Sequence, residues 1–368
     1  MSSDASPDRP GTPPAAVSAV GGKPARSSAP VPVPGWASEV VPAGGSAAYV
    51  VGWRRDQSPA LWEIDAGGDL SPRTPPPGAP GNPGPAGADS VLDLAFDTPE
   101  TGLAITATGR RQGEGAPRSL FATDDGARTW TRVDLPAGEQ PVRVALGGGA
   151  AYVLTGNCPR PGAACDHATL WTIDPTGHEA PRTFDTLPAR TDVAGPITAA
   201  AFGAAVWVFL NAGTGAETAL RSDDGGRAWR RIDTGLCLTE RPVATSAGVL
   251  WATCATGMLE HFVRQDRDAR PTAVFEKVGG TTSSALFPLS DTTAYAVIAP
   301  GRGARVEATR DGGRTTSTLA RIPRAFQRRG FHATFVSERI GYLITLNGGR
   351  LYATVDAAQS WRQVPPPA

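Results

Sequence analysis

The chain has 368 residues, and its 35 Lys+Arg balance its 35 Asp+Glu for a formal charge of zero. No basic excess exists to displace counterions, which excludes a nucleic-acid binder built on bulk electrostatics. With 44 glycines, 35 prolines and 40% hydrophobic residues, the composition points to many short strands and turns around a sizeable core.

Residues 1–36 are rich in Pro, Ser and Ala and nearly devoid of large apolar side chains. They cannot offset their chain entropy by burial, so a disordered tether is expected, followed by one folded domain over 37–368. The tether lacks the apolar core of a signal peptide. An upstream signal or anchor outside this sequence, or a cytoplasmic location, both remain open. The stretch Ser71–Ala88 is a second low-complexity segment, expected to be a flexible loop or a Pro-rich recognition peptide. Val193–Ala216 carries no charge, but its apolar part, Ile197–Leu210, is too short to span a membrane as a helix. Two buried strands around a turn at Gly203 are expected instead.

A short strand with a large residue in a fixed slot recurs along the chain, at Tyr49, Leu103, Tyr152, Trp207, Trp251, Tyr295 and Tyr342. The units it marks average about 47 residues, enough for four short strands with tight turns. Seven equivalent anchors do not fit a sandwich. They predict a single seven-bladed β-propeller of four-stranded blades.

A second signal follows the anchor strand. Ser222-Asp223-Asp224-Gly225-Gly226-Arg227-Ala228-Trp229 is a full S/T-x-D-x-G-x-x-W box. Partial copies carry Asp125 and Trp130, Asp311 and Gly313, and Asp356 and Trp361. The Leu61–Asp65 and Leu170–Asp174 segments match each other, and the copy near Asp266 is degraded. Asp and Ser/Thr side chains accept backbone N–H bonds in turns, and Gly supplies positive φ, so the box is a staple between strands. The Trp is expected to fold back over its hairpin as an apolar lid.

These paired motifs resemble the BNR/Asp-box propeller superfamily, and their order is most similar to photosystem-assembly-factor-like propellers and their bacterial relatives. The resemblance spans nearly the whole chain past residue 36 and implies the propeller fold. Because the box serves unrelated activities, it implies several functions. A sialidase would need an arginine cluster, a Tyr nucleophile paired with Glu, and an Asp acid/base. Packing at the anchor slot accounts for Tyr49, Tyr152, Tyr295 and Tyr342, leaving Tyr352. The early F/Y-R-I-P signature is missing, with only Arg321-Ile322-Pro323 as a late partial match. No G-x-S-x-G elbow, Walker loop or H-E-x-x-H pair occurs. Of the histidines, His332 opens the expected inner strand of blade 7 as an ordinary polar channel residue, and a hydrolase would depend on channel-facing acids such as Asp93.

The four cysteines suggest two loop-pinning disulfides, Cys158–Cys165 and Cys237–Cys254, on the face opposite the boxes, and hence an oxidising compartment. Free thiols and a zinc site at Cys158, Cys165 and His167 are the alternatives. The same face is expected to collect Arg54, Arg55, Arg110, Arg111, Arg302 and Arg305, which would offer a local positive field to an anionic ligand. The plainer explanation is that arginine is the default cation of a chain whose lysines are Lys23 and Lys277.

Taken together, the expectation is a non-enzymatic, extracytoplasmic, monomeric binding or scaffold propeller. It would present a loop-rich face to a protein or glycan, with no cofactor or metal, no nucleic acid and no transmembrane segment in this sequence. A sialidase-like hydrolase or lyase and an assembly factor for a membrane complex are the alternative functions.

Overall fold

The computed structural model describes residues 36–54, 56, 58–79, 91–107, 117–156, 167–177, 179–183, 197–210, 218–233, 238–239, 242–256, 259–267, 269–275, 278–279, 285–298, 303–327, 330–345 and 349–367. Nearly all of them lie in short strands and tight turns. The one helix among the described residues, α1 (Arg324–Gln327), is a single turn. No helix among them is long and apolar enough to cross a membrane.

The strands form seven antiparallel sheets in chain order, so the chain is a seven-bladed β-propeller. Blade 1 is β1 (Ala37–Pro42), β2 (Ala48–Trp53), β3 (Pro59–Ile64) and β4 (Leu70–Arg73). Blade 2 is β5 (Val91–Phe96), β6 (Gly102–Ala107), β7 (Arg118–Thr123) and β8 (Thr131–Val133). Blade 3 is β9 (Pro141–Gly147), β10 (Ala150–Thr155), β11 (Thr169–Ile173) and β12 (Arg182–Thr183). Blade 4 is β13 (Ile197–Phe202), β14 (Ala205–Leu210), β15 (Thr218–Ser222) and β16 (Arg230–Arg231).

Blade 5 departs from the plan. Its inner strand is split into β17 (Leu238–Thr239) and β18 (Val243–Ser246), both paired with β19 (Val249–Thr256). On the outer side, β21 (Thr272–Ala273) and β22 (Val278–Gly279) both pair with β20 (Leu259–Asp266). Blade 6 is β23 (Ala285–Pro288), β24 (Ala294–Ile298), β25 (Arg305–Thr309) and β26 (Ser317–Arg321). Blade 7 is β27 (Phe331–Phe335), β28 (Gly341–Thr345), β29 (Leu351–Thr354) and β30 (Arg362–Gln363).

The apolar part of the uncharged stretch, Ile197–Leu210, folds as expected: β13 and β14 pair through a turn at Gly203, whose φ is 58°. The segment beginning at Ser71 is corrected in part. Ser71–Arg73 form the outer strand of blade 1, and Thr74 is bonded to blade 2 through N–H to Ala127 O at 2.9 Å. The remainder, 80–88, lies outside the described residues.

The apolar core sits between blades, because each sheet has side chains on both faces and must cover both. Successive interfaces hold distinct clusters. Tyr49, Leu61 and Phe96 pack between blades 1 and 2, and Leu103, Leu120 and Val153 between blades 2 and 3. The last cluster, with Val50, Trp62, Tyr342 and Leu351, joins blade 7 to blade 1. Blade 1 takes all its strands from the start of the domain and blade 7 all of its strands from the end, so packing closes the ring without strand exchange. Backbone bonds reinforce this seam, with Ala37 N–H donating to Gly349 O at 3.3 Å.

Candidate functional site

Antiparallel order places alternate connections at opposite ends of every blade. The turns after the first and third strands, which include every box, share one face, called here the box face. The connections after the second and fourth strands share the other, the loop face. In blades 2, 4, 6 and 7 the box is built as a closed hydrogen-bonded turn. Thr123 Oγ1 donates to Asp125 Oδ1 and accepts from Ala127 N–H, both at 3.0 Å. Asp125 also accepts the N–H groups of Arg128 and Thr129 and the Thr129 hydroxyl. Ser222 with Asp224, Thr309 with Asp311, and Thr354 with Asp356 repeat the arrangement. Bonds to Thr315 and Ser360 hold the carboxyls of Asp311 and Asp356 at about 2. Partial burial raises the Asp125 carboxyl, but bonds from Thr129 and Thr123 outweigh it and bring it to about 2. The box is a staple, and its carboxylates are consumed by it.

Two details differ from the sequence expectation. Positive φ is not reserved to glycine, since Ala127, Ala357 and Ala358 sit at 58°, 60° and 68°. The box tryptophans reach the preceding blade rather than lying only over their own hairpin. Trp130 Nε1 donates to Thr74 O of blade 1 at 2.8 Å, and Trp229 and Trp361 pack into the interfaces with blades 3 and 6. Gly226 and Gly313 point the same way, toward Leu170 and Val274.

The anchors do more than fill space. Each tyrosine hydroxyl donates to a backbone carbonyl of the next blade on the box face: Tyr49 to Pro99 O (2.5 Å), Tyr152 to Gly203 O (3.0 Å), Tyr295 to Glu338 O (2.6 Å) and Tyr342 to Asp65 O (3.0 Å). Burial raises the pKa of all four, Tyr49 to about 12. In blade 5, Trp251 Nε1 makes the same reach to Ser290 O at 3.1 Å. In blade 4 the guanidinium of Arg221 lies over the Trp207 ring and donates to Ala247 O at 2.6 Å. Blade 2, with Leu103, instead uses the Asp97 carboxylate, which accepts Gly149 N–H at 2.7 Å. Sequence reading identified these anchors as packing but missed the polar latch. Tyr352 packs against Phe326 with the rings tilted by 48° and their centroids 4.5 Å apart.

The loop face carries the chemistry that this stapling does not use. Asp93 on β5 and Arg143 on β9 lie on the inner strands of neighbouring blades. Asp93 Oδ2 accepts Val144 N–H at 2.8 Å, and Oδ1 stands 3.9 Å from Arg143 Nη1. Burial raises the Asp93 carboxyl, opposed by Arg143 and the Val144 bond. Arg118, the first residue of β7, is half-buried on the same side of blade 2, within electrostatic reach of Arg143. Burial, and then the charge of Arg143, lower its pKa. Arg118 and Arg143 were not among the arginines singled out from sequence. Their signal is a charge at strand positions of an otherwise apolar interface.

Of the arginines that were singled out, Arg55, Arg110, Arg111 and Arg302 lie outside the described residues. Arg54 is exposed near Asp56, whose carboxyl is lowered by Ser58 and, more weakly, by Arg54. Arg305 is not available in the way expected, because its Nε is 2.5 Å from the largely buried Glu307 carboxylate. Cys158, Cys165 and Cys237 also lie outside the described residues. The backbone of Cys254 in β19 is opposite Thr239 in β17. His167 Nε2 is 3.3 Å from Glu139 Oε2, which also accepts the Thr155 hydroxyl at 2.5 Å. His332 is exposed on the inner strand β27.

No protein-family model and no curated protein sequence matches the chain. Among solved structures, it is similar to YCF48 bound to a D1 peptide, at 17% identity over 74% of this chain and 80% of that one, with a TM-score of 0.48. Puromycin hydrolase matches at 13% identity over 90% of this chain and 53% of that one, with a TM-score of 0.54. An ulvan lyase matches at 10% identity over 89% and 95%, with a TM-score of 0.53. At these identities the likeness is one of fold.

Proposed function

We propose that the chain is an Asp-box-type binding propeller that holds a protein partner on its loop face. The observation that carries this reading is the asymmetry of the two faces. On the box face the turns are short, and their hydroxyls and carboxylates are bonded within the box or to the next blade. By strand order, the long connections 74–90, 108–117, 156–168 and 184–196 all leave from the end of the blades that also carries Asp93, Arg118 and Arg143. Loops carried on a rigid scaffold are the usual place for recognition. The latching of four tyrosines and the packing of Tyr352 favour binding over sialidase-type catalysis, which would need an available tyrosine.

Replacing 157–166 and 184–196 with short Gly-Ser turns tests the reading against a box-face variant, Asp356→Ala. A protein co-purified from the native host should be retained by the full chain and by D356A and lost by the loop variant. Equal retention by all three, or turnover of a fluorogenic sialoside by the full chain, would overturn it.

A further inference from the structure

On the loop face, Asp93 on β5 and Arg143 on β9 approach each other, and Arg118 at the start of β7 lies within electrostatic reach of Arg143. We propose that Arg118 and Arg143 bind a carboxylate carried by an acidic segment of a protein partner. This rests on the protein-binding reading above and specifies the chemistry of its contact.

The first argument is pairing. Among the described residues, the arginines that are not exposed are Arg73, Arg118, Arg221, Arg264 and Arg305. Arg73 is paired with Glu63, Arg221 with Asp223, Arg264 with Asp266 and Arg305 with Glu307. Arg118 has no carboxylate or hydrogen-bond acceptor among the described residues. A half-buried guanidinium with no acceptor is only partly hydrated, so an arriving anion supplies bonds that the fold leaves unmade. The lowered pKa of Arg118 agrees with a cation short of counter-charge.

The second argument is charge. Arg118 and Arg143 are two cations against one carboxylate, Asp93, which stands 3.9 Å from Arg143 and spends its other oxygen on Val144 N–H. Among the described residues the surplus is a single positive charge. A monoanionic carboxylate matches it and suits the planar guanidinium fork. A phosphate dianion would exceed it and face Asp93. Arg143 is 46% exposed, so the site opens to solvent.

The third argument concerns the carrier. β5 and β9 each end their sheets, paired only with β6 and β10. Their channel-side edges therefore have backbone donors and acceptors with no strand partner among the described residues. An extended peptide can use such an edge while its acidic side chain enters the arginine pair.

The test is a fluorescence titration of the full chain with a labelled Gly-Ser peptide holding one central glutamate, and with its glutamine counterpart. The glutamate peptide should bind about tenfold more tightly, and R118Q or R143Q should remove that difference. Arg182→Gln, on the outer strand β12, should leave it intact. R118K serves as the charge-preserving variant, and thermal melts confirm that each protein is folded. Equal affinity for the two peptides, or a preference that survives R118Q with R143Q, overturns the proposal. Arg118-dependent binding of methyl glucuronide without the peptide preference overturns the acidic-peptide assignment. Loss of partner in the loop variant but not in R118Q would sink this site and leave the protein-binding reading standing.

Discussion

The hydroxyl of Tyr342, in the last blade, donates to the carbonyl oxygen of Asp65, in the first, at 3.0 Å. This bond crosses the point where the two ends of the ring meet. Beside it Arg362 reaches Gly67 O, and Thr334 Oγ1 donates to Val40 O at 3.3 Å. Because no strand is exchanged here, the seam depends on side chains more than a swapped blade would. Tyr342→Phe keeps the ring packing and removes the donor, leaving Asp65 O with the Gly68 N–H alone among the described residues. A loss of about 1 kcal/mol is expected, read as a lower urea midpoint. Tyr352→Phe, outside the latch ring, should leave the midpoint unchanged.

Blades 4 and 5 solve the same problem with different residues. Trp207 faces Arg221 across the β14–β15 pair, and Trp251 faces Arg264 across β19–β20. In blades 6 and 7 the latching tyrosines face Ala308 and Ala353. Arg221→Met should cost about 2–3 kcal/mol, because a charged donor over a buried ring is lost. Combining Trp207→Tyr with Arg221→Ala installs the arrangement of blades 6 and 7 and should recover most of that loss. Chemical denaturation of the single and double variants measures the coupling. Strictly additive losses would show that the pair does not act as a latch.

This tryptophan–arginine correlation was present in the sequence, at offsets of 14 and 13 residues from the anchor. The ring of anchors predicted the blades because apolar periodicity reports which face is buried. It did not predict the latches, because their acceptors are backbone carbonyls of Pro99, Gly203 and Asp65, which have no residue signature. The Arg118 cluster was missed for a related reason. It joins β5, β7 and β9 of two blades, and nothing local distinguishes Arg118 from Arg305, which Glu307 neutralises.

The second glycine of the box is decided by its neighbour in the preceding blade. At Gly313, with φ +94°, an added Cβ would lie 2.6 Å from Val274 Cγ1. At the equivalent place in blade 2, Ala127 is fully buried at φ 58°. Gly313→Ala should therefore destabilise by about 2 kcal/mol, with part restored by Val274→Ala. Ala127→Gly relieves backbone strain but loses a buried methyl, so a change within about 0.5 kcal/mol is expected. Thermal melts of the three variants separate steric from backbone effects.

The pairing of Thr239 with Cys254 brings the strand that follows Cys237 beside β19. We therefore carry forward Cys237–Cys254 and Cys158–Cys165 as proposed disulfides. Intact-mass measurement after iodoacetamide in denaturant should show no adduct, and adducts on every cysteine once reductant is added. Alkylation without reductant would remove both the pairs and the argument for an oxidising compartment.

Acid stability provides the last test, since the box carboxylates are held far below their ordinary range. Asp125, Asp311 and Asp356 sit at about 2 in the folded chain, against 3.8 for an unperturbed carboxyl. As pH falls, the unfolded chain takes up protons at these positions before the folded chain does. Their stabilising contribution is thus complete above about pH 5 and is lost between about pH 4 and 2. Asp93 runs the opposite way, because burial raises its carboxyl and protonation there favours the folded state. Replacing Asp125, Asp311 and Asp356 together by Asn should lower the urea midpoint at pH 7 and flatten its decline below pH 4. Asp93→Asn should instead leave that decline in place. An acid limb as steep in the triple variant as in the parent chain would show that the boxes do not set acid stability.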